Sequence, residues 1–350
     1  MIKKQGQNVE TIFWLKKNFI SFTENYDLKR KSWIKCGGLV KLLIEPENFE
    51  DLNKILIYLK NNKIEFYPIG NLSNILFRDG EIETPFINLK KIKNNFNSKI
   101  INNHLHLNVT GGVSIFKYVN LIQEKFNISG QEGLIGIPGT IGAAVITNAS
   151  SYGSCISDYI DQVKYIDKDC NILTLSKNQI SFAWRYSIFQ EKKNFLIYEI
   201  KFIFQLNKKG DLYKINERVN EVRRHREAFQ EKRLPNLGSL YATKNLYYDL
   251  SKISFSFFFL YLLNLFVTKI FYLCRIDNKL ILFRKFLVKL YSINFGIKND
   301  KFSFSDRTIN CLVNKAKCDQ SLQAFELIEK LEKKIKGKIK LENVLVKNIK

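Results

Sequence analysis

Four glycines fall within ten residues at Gly133, Gly136, Gly139 and Gly142, and the segment continues through Asn148 to Tyr152 and Gly153. A structural turn uses one or two glycines. This density lets a backbone approach a ligand closely, and Pro138 stiffens the same turn. A second polar loop holds Gly70, Asn71, Ser73 and Asn74, followed by Asp79 and Gly80. Its backbone N–H groups and short side chains suit a pyrophosphate. Two further positions could do chemistry. Arg185 sits between Trp184 and Tyr186, and Ser239 follows Gly238 after Pro235. Taken singly, an arginine among aromatics is more often a packed, salt-bridged residue. A serine after glycine is more often a turn former.

Elements able to carry these loops flank them. Residues 40–44 read as a strand, and Phe49, Leu52, Ile55, Leu56 and Leu59 recur on one helical face. Residues 65–69 read as a second strand, running into Gly70. Residues 105–110 read as a strand ended by Gly111 and Gly112, and 113–126 as a helix. Residues 195–204, rich in aromatic and β-branched types, close this part. Lys208, Lys209 and Gly210 mark a boundary before a basic helix with Val219, Val222 and Phe229. A last helix over 319–336 carries an apolar stripe at Leu322, Phe325, Ile328, Leu331 and Ile335.

Composition bounds the function classes. The chain has 350 residues, 45% of them hydrophobic, which suits two or three domains with a substantial core. Its 56 Lys and Arg outweigh 33 Asp and Glu, giving a formal charge of +23. Such a field draws anions in general. The basic residues are scattered over the whole length, and the densest cluster is Arg223, Arg224, His225 and Arg226, so a nucleic-acid partner is not expected. None of the six cysteines forms a C-x-x-C pair, and no Cys/His cluster has metal spacing. The first residues lack the apolar stretch of a signal peptide, so a reducing cytoplasm is expected.

Residues 253–274 stand apart. Ile253 through Thr268 carries no charge, and Lys252 and Lys269 bracket the run. Next, Leu280, Phe283, Phe286, Leu287 and Leu290 alternate with Lys279, Arg284, Lys285 and Lys289. Three readings stay open: a helical hairpin buried against the rest of the chain, peripheral membrane contact through 253–290, and a membrane span.

In this order the motifs resemble the UDP-N-acetylenolpyruvoylglucosamine reductase family. The likeness opens at Lys31, Ser32, Gly37 and Gly38 and runs through the Gly70–Asn74 loop and the Ile-Pro-Gly-Thr segment ending at Thr140. It continues at Arg185, Ser187 and Phe189 and at Gly238 and Ser239, and returns at 308–314. It omits about 243–300.

The resemblance implies an α+β protein with three parts. A two-lobed FAD-binding domain of the vanillyl-alcohol-oxidase type would occupy 1–90 and 91–206. A substrate-binding domain would occupy 207–350, with an atypical insertion at about 243–300. FAD would be held noncovalently by Gly70, Asn71, Ser73, Asn74, Gly136, Pro138, Gly139, Thr140, Gly142, Asn148, Tyr152 and Gly153. NADPH would reduce the flavin, and the flavin would reduce UDP-N-acetylglucosamine enolpyruvate to UDP-N-acetylmuramate. That step belongs to peptidoglycan synthesis, hence to cell shape and division, and a monomer needing no metal is expected.

Carried over by motif position, Ser239 protonates the substrate carbon and Arg185 stabilises the developing negative charge. The family also uses a glutamate near the C-terminus. One alignment puts Val344 in that place and another, shifted by two residues, puts Glu342 there. Glu342 is the only acidic residue after Glu332 and is the candidate. The sequence departs from the family at Leu72 and Ala143, where glycines are usual. After Ser239 a substrate-contacting Asn is displaced, with Asn245 nearby. Two other classes compete: a different FAD-dependent oxidoreductase of the same superfold, and a non-catalytic flavin- or nucleotide-sugar-binding homologue.

Overall fold

The computed structural model describes residues 2–93, 95–192, 195–206, 212–273, 277–297, 301–316 and 320–347. Strand and helix content is mixed, and the sheets are built around separate apolar cores. The boundary expected at Lys208–Gly210, the thiols of Cys274 and Cys318, and Asp319 at the start of the last helix lie outside the described residues.

The first sheet orders Phe22–Asp27, Leu39–Ile44, Phe86–Ile87 and Tyr67–Pro68, with Glu81–Ile82 paired to the second of these. Helix Phe49–Asn61 packs Leu52, Ile55, Leu56 and Leu59 into the core beneath it. Asn48 caps it by accepting from the Asp51 N–H at 2.8 Å, and Glu50 and Asp51 oppose the positive end of its dipole. The strand expected over 65–69 shrinks to Tyr67–Pro68. Pro68 has no N–H to extend the ladder, and the chain turns away into the loop at Gly70.

The second sheet is antiparallel, in the order Ile172–Ser176, Ile160–Ile166, Leu196–Gln205, His104–Thr110, Phe96–Ile101. Asn102 and Asn103 turn the last pair with positive φ at both positions, the backbone a two-residue hairpin needs. The helix expected over 113–126 starts at Ile115, where Ser114 caps it, and loosens into a π turn over Leu121–Lys125.

The third sheet sets Thr308–Asn314 between Asn236–Ser239 and Phe302–Ser305. Its core draws Leu237, Leu312, Phe325, Ile328 and Leu331 together with Ile34, Cys36 and Leu76 from the first part of the chain. The final strand, Val344–Val346, leaves this core and pairs in parallel with Ile75–Phe77. Helix Leu322–Ile335 is also tied to the first part: Asp79 accepts from the Ser321 N–H at 2.9 and 2.7 Å and from the Leu322 N–H at 3.3 Å. A carboxylate from elsewhere in the chain thus caps this helix. Asp79→Ala is expected to cost about 1 kcal/mol, read as a lower midpoint in a thermal melt.

Helices Phe255–Leu273 and Asp277–Phe295 form an antiparallel pair. Phe257 meets Phe295 at 4.7 Å between ring centroids, and Phe271 meets Phe283 at 6.0 Å. Phe257, Leu287, Val288 and Tyr291 enter the third core. The buried-hairpin reading therefore holds for one face. The opposite face of the first helix stays open, with Phe255 76% and Phe266 66% exposed. Among the described residues no helix is long and apolar enough to cross a membrane, which sets the spanning reading aside.

Candidate active site

Both glycine-bearing loops line one cleft of about 1700 Å³, larger than the 300–1,000 Å³ typical of a single small ligand. Gly70, Asn71, Ser73 and Asn74 line it from one side, and Gly136, Pro138, Gly139, Thr140, Gly142 and Tyr152 from the other. The loops touch: the Ser73 hydroxyl donates to the Pro138 carbonyl. Asn148 and Gly153 fall outside the lining. Asn148 ends the helix Ile141–Thr147 at φ +45° and its amide donates to the Ala183 carbonyl at 2.7 Å. Gly153 turns the chain at φ +83°.

A Cβ at Gly70 would lie 2.7 Å from Thr140 Oγ1, the atom that caps Ile141–Thr147. Gly70→Ala therefore forces the loops apart. The expected result is roughly tenfold weaker flavin binding, equivalent to about 1.4 kcal/mol, measured by the flavin retained on dialysis. At Gly238, φ +70°, a Cβ would meet nothing within 4 Å and would instead project into open space.

The cleft is electropositive. Its lining includes nine Lys or Arg residues against Glu231 and Glu342, which favours anionic ligands. Arg226 is 5% exposed, and its Nη2 donates to the Gly133 carbonyl at 3.0 Å and to Ser151 Oγ at 2.8 Å. Its guanidinium lies 4.9 Å from the centroid of the Tyr152 ring, whose hydroxyl reaches His225 Nδ1 at 2.9 Å. Arg226 Nε is buried without a partner. Burial also lowers the pKa of this arginine. A buried cation with an unsatisfied donor beside a glycine loop fits the pyrophosphate of a dinucleotide. Sequence reasoning saw the Arg223–Arg226 cluster only as density of charge. The signal was its register: Ile215, Val219 and Val222 set a buried stripe on helix Leu212–Phe229, and Arg226 continues it.

At one end of the cleft the chemistry-bearing side chains converge. Arg185, held at φ +54°, donates from Nη1 to Glu342 Oε1 at 3.0 Å. Their side chains are 24% and 15% exposed, so the ion pair is partly desolvated. Burial pushes the Glu342 carboxyl above the usual glutamate range, against the opposite pull of Arg185 and Lys340. The backbone of Glu342 is fixed from two sides: its N–H donates to the Leu240 carbonyl at 2.7 Å, and its carbonyl accepts from Asn74 Nδ2 at 3.1 Å. Asn343 then donates to the Leu237 and Ser239 carbonyls at 3.0 Å each, and to Asn74 Oδ1. Asn74, a residue of the first loop, thus locks the segment carrying Glu342 against the strand carrying Ser239.

Ser239 is exposed at the cleft wall, at the end of strand Asn236–Ser239, and pairs with Cys311. Burial raises the Cys311 thiol to about 12, so it stays protonated. Asn245 lies outside the lining and caps helix Leu246–Ser251; Asn310 lines the cleft, and its side chain is held by the Tyr241 backbone. The hairpin contributes Asn264, Thr268, Arg284 and Leu287 to the lining, with the Arg284 guanidinium 4.4 Å from the Phe229 ring centroid. Among the described residues no group of three His, Cys, Asp or Glu is placed to hold a metal ion.

A family model described as an FAD binding domain matches residues 40–176, which spans both glycine-bearing loops. That match, the α+β fold and the cationic cleft define an FAD-dependent oxidoreductase. Among curated proteins the chain is 38% identical over 224 residues to the UDP-N-acetylenolpyruvoylglucosamine reductase of Rickettsia rickettsii (strain Sheila Smith). This covers 63% of the chain and 71% of that relative. It is 30% identical over 224 residues, 64% of the chain and 71% of the relative, to the enzyme so named in Caldanaerobacter subterraneus subsp. tengcongensis. The crystal structure of UDP-N-acetylenolpyruvylglucosamine reductase (MurB) from Thermus caldophilus shares the fold. Its TM-score is 0.62 at 19% identity, over 93% of this chain and 98% of that one. The chain belongs to the UDP-N-acetylenolpyruvoylglucosamine reductase family.

Proposed function

We propose that this chain reduces UDP-N-acetylglucosamine enolpyruvate to UDP-N-acetylmuramate through FAD, with NADPH as the electron source, in peptidoglycan precursor synthesis. The observation that carries the reading is the meeting of Arg185 and Glu342 at 3.0 Å in the cleft that Ser239 and both glycine loops line. The loop residues fit a dinucleotide by their close-approach glycines and the unsatisfied buried Arg226 Nε.

In this reading Gly70, Asn71, Ser73, Asn74, Gly136, Pro138, Gly139, Thr140, Gly142 and Tyr152 hold FAD, while Asn148 and Gly153 shape the turns behind them. The chemistry that bound FAD supplies is hydride transfer. Arg185 is placed by the Glu342 carboxylate to face the negative charge that develops on the enolpyruvyl group, where a fixed guanidinium lowers the barrier most. The Ser239 hydroxyl delivers a proton to the adjacent carbon, a role open to a poor acid only when it is held within hydrogen-bond reach. Arg226 and Arg284 supply positive charge for diphosphate groups.

The same proposal divides the chain at about 90 and 206 into two FAD-binding lobes and a substrate-binding domain, although strand Val344–Val346 returns to pair with Ile75–Phe77. It has the chain act as a monomer in the cytoplasm.

Anaerobic absorbance spectroscopy tests the reading. NADPH is expected to bleach the flavin band, and UDP-N-acetylglucosamine enolpyruvate to restore it. Bleaching without recovery would leave a flavoprotein with another electron acceptor and overturn the substrate assignment.

A further inference from the structure

The outward face of the hairpin is unexplained by a reductase cleft. Among the described residues, twelve of the thirty exposed large hydrophobic side chains lie on helices Phe255–Leu273 and Asp277–Phe295, far more than scattered surface exposure would put there. On the first helix Phe255, Phe259, Leu262, Phe266, Ile270 and Leu273 recur at intervals of three or four, so they share one side. The opposite side, with Phe257 and Leu260, packs on the core. A helix apolar all round is matched to burial on every side or to lipid. On the second helix Leu282, Phe286 and Ile293 are exposed on the side that also carries Lys285 and Lys289.

We propose that this hairpin docks the protein on an anionic lipid surface, lying in the interface without crossing it. Lys252, Lys269, Lys285 and Lys289 are exposed on the hairpin, and residues 252–297 contain one acidic residue, Asp277. A symmetric pair of chains meeting through this face would set like charges against each other. An anionic leaflet complements them. Lys269 rises from the apolar side itself, and Lys252 stands just before the first helix, where long stems reach headgroups while the rings sink to the acyl boundary. Lys285 pairs with Asp306 at 3.2 Å, an exposed contact that an anionic headgroup can replace. The inference stands apart from the reductase reading, since it uses the face of the hairpin that points away from the cleft.

Sedimentation of the full-length flavoprotein with vesicles tests it. Vesicles of phosphatidylcholine mixed with phosphatidylglycerol are expected to bring the protein down, and pure phosphatidylcholine to do so at least tenfold less well. High salt should weaken the first. Phe259→Ser combined with Phe266→Ser replaces exposed side chains, so the fold and flavin absorbance should persist while vesicle binding falls at least tenfold. Lys285→Glu with Lys289→Glu should do the same through charge alone. Protein that stays in solution with anionic vesicles would overturn the proposal. So would equal binding by the serine variant. A concentration-dependent dimer in analytical ultracentrifugation, abolished by the serine substitutions and without vesicle binding, would assign the face to a second copy instead.

Discussion

Ser239→Ala is expected to leave the bleaching of the flavin by NADPH unchanged and to slow its reoxidation by the enolpyruvyl substrate on the order of 10³-fold, within the range of general acid catalysis. The two half-reactions separate because Ser239 sits on the third sheet, with its backbone carbonyl held by Asn343, and belongs to neither glycine loop. Deleting one hydroxyl from an exposed position leaves no buried group unsatisfied, so the fold should be unaffected. Stopped-flow traces with each partner read the two rates independently. Reoxidation at the unaltered rate would remove Ser239 from the proton-donor role.

Glu342→Gln should lower turnover about 10²-fold. The amide keeps the shape of the carboxyl and can still accept from Arg185, but it no longer counters the guanidinium charge, so the arginine is free to shift toward the substrate carboxylate at rest. A second readout comes from stability. Burial raises the Glu342 pKa, so between the unfolded and folded values the native chain holds the extra proton. Its contribution to stability is present in full below the unfolded value and is lost as pH rises through the folded one. The melting midpoint of the unsubstituted protein should therefore fall relative to that of the Gln variant as pH rises from just below to above the glutamate range. A difference between the two that is flat with pH, together with near-normal turnover, would place the working carboxylate elsewhere.

Strong periodicity made part of this structure readable in advance. Leu52, Ile55, Leu56 and Leu59 announced the helix Phe49–Asn61, and the β-branched and aromatic run before Gln205 announced a strand, though not its central place in the sheet. Glycine density located the cleft, because close backbone approach is a local property. It could not separate ligand contact from turn formation: Asn148 and Gly153 stand in the same stretch, turn the chain at positive φ and lie outside the cleft lining. Leu72 shows the same limit: it takes φ +54°, as a glycine would, while its side chain is 5% exposed and sits in the core. Local pattern held nothing that joins Arg185 to Glu342, since 157 residues separate them. Only family resemblance gathered them, and the contacts favour Glu342 over Val344 for the proposed role, since Glu342 reaches Arg185 while Val344 pairs with Ile75. Arg226 was lost among other arginines because charge density says nothing of which side faces inward.

The return of the chain to Asn74 sets an order of events. Asn74 meets the Glu342 carbonyl across 268 residues, and Val344–Val346 adds its strand beside Ile75–Phe77. During synthesis both glycine loops are made long before the segment that carries Glu342. Closing so distant a pairing is slow relative to local folding. If those loops hold FAD as proposed, a nascent chain is expected to bind it before it becomes active. Activity should emerge abruptly, after flavin fluorescence has already changed, when the tail strand zips into place.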